Sequence, residues 1–162
     1  MTSSKSIASG SSELHYLINS TVHIDFISDI DVEYSLQSTF KSDILHFSKL
    51  LNKVNKDTQR YTQVQREGNG YKTWDGKKND YISEKDIVYS VCCLYFKEPA
   101  GMSHVYSENY LAFCPITKVD EYYLIEFPDG NKNYYKYQNG TCIWVEAHQK
   151  LYKIIFRLKE FK

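Results

Sequence analysis

Acidic residues beside histidine are the first place to look for chemistry in this chain. His23 and Asp25 fall on one face of an alternating segment, with Asp29, Asp31 and Glu33 just beyond. Histidine with carboxylates can hold a divalent metal or move protons. The spacing matches no ligand motif, so the group reads as a polar strand edge running into an acidic stretch. Asp75, Asp80, Glu84 and Asp86 invite a calcium reading. They lack the alternating oxygen ligands, the sixth-position glycine and the closing glutamate of an EF-hand, and read as a solvated loop. His15, His46, His104 and His148 are scattered, and neither a nucleophile elbow nor a phosphate-binding glycine loop appears. No catalytic residue, metal site or cofactor is assigned, and the balance of this reading is against an enzyme.

A constellation of aromatic residues says more. The chain holds 15 tyrosines, and several fall in 122–158, four β-prone runs separated by turn residues. Pro128-Asp129-Gly130 and Asn139-Gly140 are hairpin turns, so this stretch reads as a four-stranded antiparallel meander. The Asn-Gly turn pairs Tyr137 with Cys142 and Tyr135 with Trp144. The Pro-Asp-Gly turn sets Tyr123 opposite Tyr135 and Leu124 opposite Tyr134. Pairing Val145 with Ile154 and Ile143 with Phe156 groups apolar residues and sets Glu146 opposite Lys153. One face then carries Tyr123, Tyr135, Tyr137 and Trp144, rimmed by Lys153 and Arg157. Such a platform suits a protein partner, with aromatic anchors inside a charged rim.

Other elements must position that face. Residues 1–12 are Ser-rich and read as a flexible tail, leaving 13–162 as a single domain. Residues 21–26 alternate as a strand. Residues 36–54 place Leu36, Phe40, Ile44, Phe47, Leu51 and Val54 at spacings of three and four, which predicts one long amphipathic helix. Asp43 falls inside its apolar arc, and Leu45 falls on its polar side. Residues 58–66 alternate as a solvated hairpin arm or loop, 74–81 read as a loop, and 87–96 and 105–113 read as strands. The expected architecture is α+β: the long helix packed on a curved antiparallel sheet of about six strands, ending in the meander. Cystatin-like and cone-shaped ligand-binding folds are similar in layout.

Twenty basic and 20 acidic residues cancel, which argues against a nucleic-acid binder, since that affinity rests on phosphate neutralisation. No apolar run reaches membrane-spanning length. Cys92, Cys93, Cys114 and Cys142 lack zinc-site spacing and, with no signal peptide at the start, read as buried thiols of a cytoplasmic protein. The expected role is a non-catalytic protein-binding module, such as an inhibitory partner in the manner of bacterial immunity proteins that neutralise a toxin or effector. The alternative is a small-molecule-binding or enzymatic cone, with a pocket between helix and sheet and Asp43 as its polar group.

Overall fold

Two-residue turns and inward–outward alternation fold the chain into two antiparallel meanders. The computed structural model describes residues 1–7, 12–24, 29–83, 86–149 and 153–158. Seven strands form the first sheet in chain order: β1 (Thr2–Ile7), β2 (Glu13–Ile24), β3 (Ile30–Lys41), β4 (Ile44–Val54), β5 (Asp57–Glu67), β6 (Gly70–Trp74) and β7 (Asn79–Ile82). Six form the second, also in chain order: β8 (His104–Ser107), β9 (Ala112–Val119), β10 (Tyr122–Glu126), β11 (Lys132–Gln138), β12 (Thr141–His148) and β13 (Lys153–Arg157). Between them lies a 3-10 turn, Val91–Tyr95.

The α+β expectation is therefore overturned, because residues 36–54 are the arms of the β3–β4 hairpin rather than a helix. Ser42 and Asp43 turn the chain at φ 49° and 61°, the left-handed pair of a type I′ turn, so helical winding breaks at the middle of the predicted stripe. The three-and-four spacing arose by mixing faces. Leu36, Phe40 and Leu50 are buried, while Phe47 and Leu51 lie on the other side and are only half-buried. A register shift at Thr39/Phe40 lets Leu45 turn inward, where it is fully buried instead of exposed. Ser38 and Ser48 also point inward, hydrogen-bonded to each other at 3.0 Å, and this masked the strand alternation.

Residues 87–96 are likewise not a strand. The chain leaves β7 and crosses between the sheets: Leu45 N donates to Ile87 O at 2.8 Å, Ile87 N to Tyr71 Oη at 3.0 Å, and Tyr106 N to Tyr89 O at 3.1 Å. The 3-10 turn that follows buries Val91, Cys92, Cys93 and Leu94 as a plug in one continuous core drawn from both sheets. Its β-branched and aromatic content serves burial, not a ladder. Thr2–Ile7, within the Ser-rich start, pairs with β2 as an edge strand with every side chain exposed.

In the meander, Tyr123 does face Tyr135, Leu124 faces Tyr134, and Tyr137 faces Cys142. Beyond Tyr137 a bulge takes up Ile143, so Trp144 pairs with Lys136 and Tyr135 pairs with Val145. The last hairpin is offset by two residues from the expected register: Val145 pairs with Phe156 and Trp144 with Arg157.

Candidate functional site

The bulge divides the aromatic platform between two faces of the second sheet. Tyr123 and Tyr135 are buried and Tyr137 half-buried, on the face turned to the plug. Tyr137 Oη donates to Leu94 O at 2.6 Å, and Tyr123 Oη to Glu98 Oε1 at 2.8 Å. Trp144, Lys153 and Arg157 lie on the outer face. There the Arg157 guanidinium sits 4.3 Å over the Trp144 ring, and Lys153 Nζ pairs with Glu146 at 3.3 Å. Asp43 is exposed in the β3–β4 turn, far in register from the inward row that could meet a ligand.

The carboxylate groups also disperse. His23 Nδ1 and Asp31 Oδ1 lie 2.7 Å apart as cross-strand neighbours on the exposed edge, which is a structural pairing. Asp25 lies outside the described residues. Asp75 accepts from the backbone N–H groups of Lys77 and Lys78, which holds its carboxyl below the usual range. Asp86 pairs with Arg66 at 2.6 Å, and Glu84 lies outside the described residues. Among the described residues, no group of three or more His, Cys, Asp or Glu side chains could hold a metal.

The feature with the shape of a site is a cavity of about 180 Å³ between the two sheets, floored by Val91 and Tyr95 of the plug. Cross-strand register builds its walls. On the first sheet, Ser20 pairs with Tyr34 and Tyr34 with Asn52, so one row of three adjacent strands presents all three inward. On the second, Asn133 pairs with Ala147 and Ala147 with Ile154, forming the facing row. Val22, Val32, Phe127 and Phe156 supply apolar surface around them. Burial holds the Tyr34 hydroxyl well above the usual phenol range, and therefore neutral.

Three polar atoms on these rows are buried without a hydrogen-bond partner: Ser20 Oγ, Asn52 Oδ1 and Asn133 Oδ1. Leaving a buried polar atom unsatisfied costs about 1–3 kcal/mol. Their residues line the cavity, but the three oxygens themselves are closed even to water, so they mark unmet hydrogen-bond demand inside its walls rather than contacts open to a guest. The sequence reading missed all three residues. Ser20 was in principle visible as a polar break in the alternating Tyr16, Ile18, Ser20, Val22 series. Asn52 was hidden by the helix assignment, and Asn133 by its place beside a turn.

Behind the cavity wall lies a second polar feature the sequence did not flag. Glu108 is 1 % exposed. Its Oε1 accepts from Ser90 Oγ at 2.5 Å, and more weakly from Cys92 N and Ser38 Oγ, both at 3.4 Å. Its backbone carbonyl accepts from Thr62 Oγ1 at 2.7 Å, and Oε2 has no partner. Burial pushes its carboxyl above the usual range, outweighing those donors. Glu108 thus links the first sheet, the plug and the second sheet, while its chain neighbours Ser107 and Asn109 line the cavity. Its side chain is not part of the lining, so it supports the site rather than meeting a ligand.

Residues 3–159 match the family model described as a domain of unknown function, DUF6134. No curated protein and no solved structure matches the chain. Nothing in these findings supports an immunity, antitoxin or inhibitor role, and the α+β label falls with the missing helix. Among the described residues, no helix is long and apolar enough to cross a membrane.

Proposed function

Because the chain belongs to this DUF6134 family, whose function is unassigned, the site itself must carry the reading, and we propose that the protein is a small-molecule-binding domain holding its ligand between the two sheets. The cavity itself, walled by facing rows of the two sheets and lined largely by apolar and uncharged polar side chains, is the observation that supports this most directly. It keeps the pocket of the alternative sequence reading but moves it from a helix–sheet interface to a sheet–sheet interface, and replaces Asp43 by uncharged polar groups. Ser20, Ser107, Tyr34 and Tyr110 bring hydroxyl side chains to its walls, but among the described residues its lining holds no histidine, cysteine or carboxylate to activate them, so the proposal is binding without chemistry. A reducing, cytoplasmic setting belongs to the same proposal, supported by four buried free thiols.

The test fills the space. Ala147 lines the cavity at the centre of the facing row, and Ala147→Phe should occupy it. Toluene and phenol, titrated against labelled protein and followed by amide chemical shifts, should give saturable shifts on β2–β4 and β11–β13 in the native chain and none in a folded Ala147→Phe variant. Shifts that persist unchanged in the variant would place binding elsewhere.

A second reading keeps protein docking, now on the outer face. It is supported by Trp144, whose Nε1 is buried without a partner beneath Arg157, and by the neighbouring exposed Ile155. Trp144→Ala should then weaken a partner at least about tenfold while the free protein stays folded.

A further inference from the structure

The second sheet ends on an edge strand, β13, whose register decides what can be laid beside it. We infer that β13 receives an extended peptide segment of another protein, added antiparallel as a further strand, with acidic residues flanking its inward apolar ones. The inference goes beyond the small-molecule reading and does not require the cavity to hold a ligand.

Backbone phase is the first ground. Leu158 N donates to Ile143 O at 3.0 Å, and in the same register Phe156 pairs with Val145 and Ile154 with Ala147. Bonded pairs alternate with unbonded ones along an antiparallel ladder. Ile154 and Phe156 therefore give their N–H and C=O groups to β12, while those of Lys153, Ile155 and Arg157 point to the far side. β13 is the last strand of its sheet, and among the described residues nothing bonds those three backbones there.

Side-chain alternation is the second, and it sets this edge apart from the others. The far side of β8 is taken up by the crossing chain, through Tyr106 N and Tyr89 O. Every residue of β1 is exposed, and so is all of β7 but Ile82. In β13, by contrast, Ile154 and Phe156 are half-buried against the cavity while Lys153, Ile155 and Arg157 face out. A strand laid beside it would repeat the alternation, its residues opposite Ile154 and Phe156 turning to the apolar side. Main-chain pairing with apolar contacts for alternate side chains is a general mode of peptide recognition.

Charge is the third, and it selects the partner. Antiparallel self-pairing about Ile155 would set Lys153 of each copy opposite Arg157 of the other, like charge against like. Lys153 meets Glu146 at 3.3 Å, whereas Arg157 stacks on Trp144 and has no carboxylate partner among the described residues. Acidic residues opposite these two positions are favoured instead. The segment that fits reads acidic, apolar, any, apolar, acidic.

The probe is a blocked peptide, Ser-Ser-Asp-Val-Thr-Phe-Glu-Ser-Ser, titrated against labelled protein and followed by amide shifts and hydrogen exchange. Saturable binding is expected, slowing exchange at the amides of Lys153, Ile155 and Arg157. N-methylation of the central threonine, whose N–H would face Ile155, should weaken binding about tenfold or more. N-methylation of the valine, whose N–H would face away, should change it less than about threefold. Replacing the Asp and Glu by lysine should weaken it about tenfold or more. Ile155→Pro removes a donor from the free side only, which an edge strand tolerates. It should abolish binding and leave the melting curve near that of the native chain; should it fail to fold, the two N-methylated peptides decide on the native chain alone. Equal binding by those two would overturn strand addition. Undiminished binding of the lysine peptide would overturn the acidic partner, and no saturable binding at all would overturn both. A native dimer that Ile155→Pro separates would assign the edge to a second copy instead.

Discussion

Replacing Glu108 by Gln should remove one proton's worth of pH dependence from folding, with a sign opposite to that of most carboxylates. Burial raises the folded-state carboxyl above its ordinary value of 4.5, so the native state keeps a proton that the unfolded chain releases. Stability from this group is fully present below the unfolded value and is lost as pH rises through the folded one. Across that window the linkage slope is up to about 1.4 kcal/mol per pH unit, stability falling as pH climbs. Asp75, Glu121 and Glu146, held low by hydrogen bonds from Lys78 N–H, Lys136 and His148, act in the other direction. They are common to both proteins and cancel in the difference. Glu108→Gln preserves the acceptor for Ser90 Oγ but puts an amide where Oε2 was, at a pH-independent cost of about 1–3 kcal/mol if it stays unpaired. The absolute stability is therefore the wrong readout, and the slope is the right one. Urea melts of both chains at pH 4, 5, 6, 7 and 8 should show the native chain losing stability relative to the variant above pH 5. Parallel curves would refute the buried neutral acid.

Leu45→Ala should cost about 2–5 kcal/mol by cavity formation, whereas the exposed position the helical reading gave it would cost under about 0.5 kcal/mol; denaturant melts decide. Gly70→Ala should destabilise by about 3 kcal/mol or more, since an added Cβ would stand 2.2 Å from the backbone oxygen of Ile82. Burial pushes the thiols of Cys114 and Cys142 up to about 11 and about 12, so a thiol reagent at pH 8 should find none of the four in the native chain and all four after unfolding; a fast-reacting thiol in the folded protein would contradict this.

The second sheet was largely legible and the first was not, and the difference lies in turn chemistry. Asn139-Gly140 announces a type I′ turn because glycine and asparagine adopt left-handed backbone cheaply. Ser42-Asp43 and Asn55-Lys56 make turns with the same left-handed pair of φ angles but carry no glycine to announce them. With those turns unseen, Leu36 to Val54 ran together as one periodic stretch. The site failed for a related reason. Its residues are ordinary Ser and Asn side chains whose only distinguishing property is to face inward at facing rows of two sheets, and that depends on register. One bulge at Lys136/Tyr137, which no local residue choice signals, was enough to part Trp144 from Tyr135. Glu108 was invisible because its burial is set by strands distant in sequence, at Ser38 and Thr62.

The strand Thr2–Ile7 buries nothing, yet it covers the flank of β2, a 12-residue strand that includes Leu14, Tyr16, Leu17 and Ile18. Without it, a long ladder edge rich in apolar side chains would stand open as a template for another copy of the chain. The run Thr2 to Ser6, four hydroxyl side chains and one lysine, presents a poor template in its place. Removing the first seven residues would therefore leave the melting curve of dilute protein nearly unmoved and show itself in the concentration at which solutions turn cloudy. In this sense the first strand guards colloidal behaviour rather than folding.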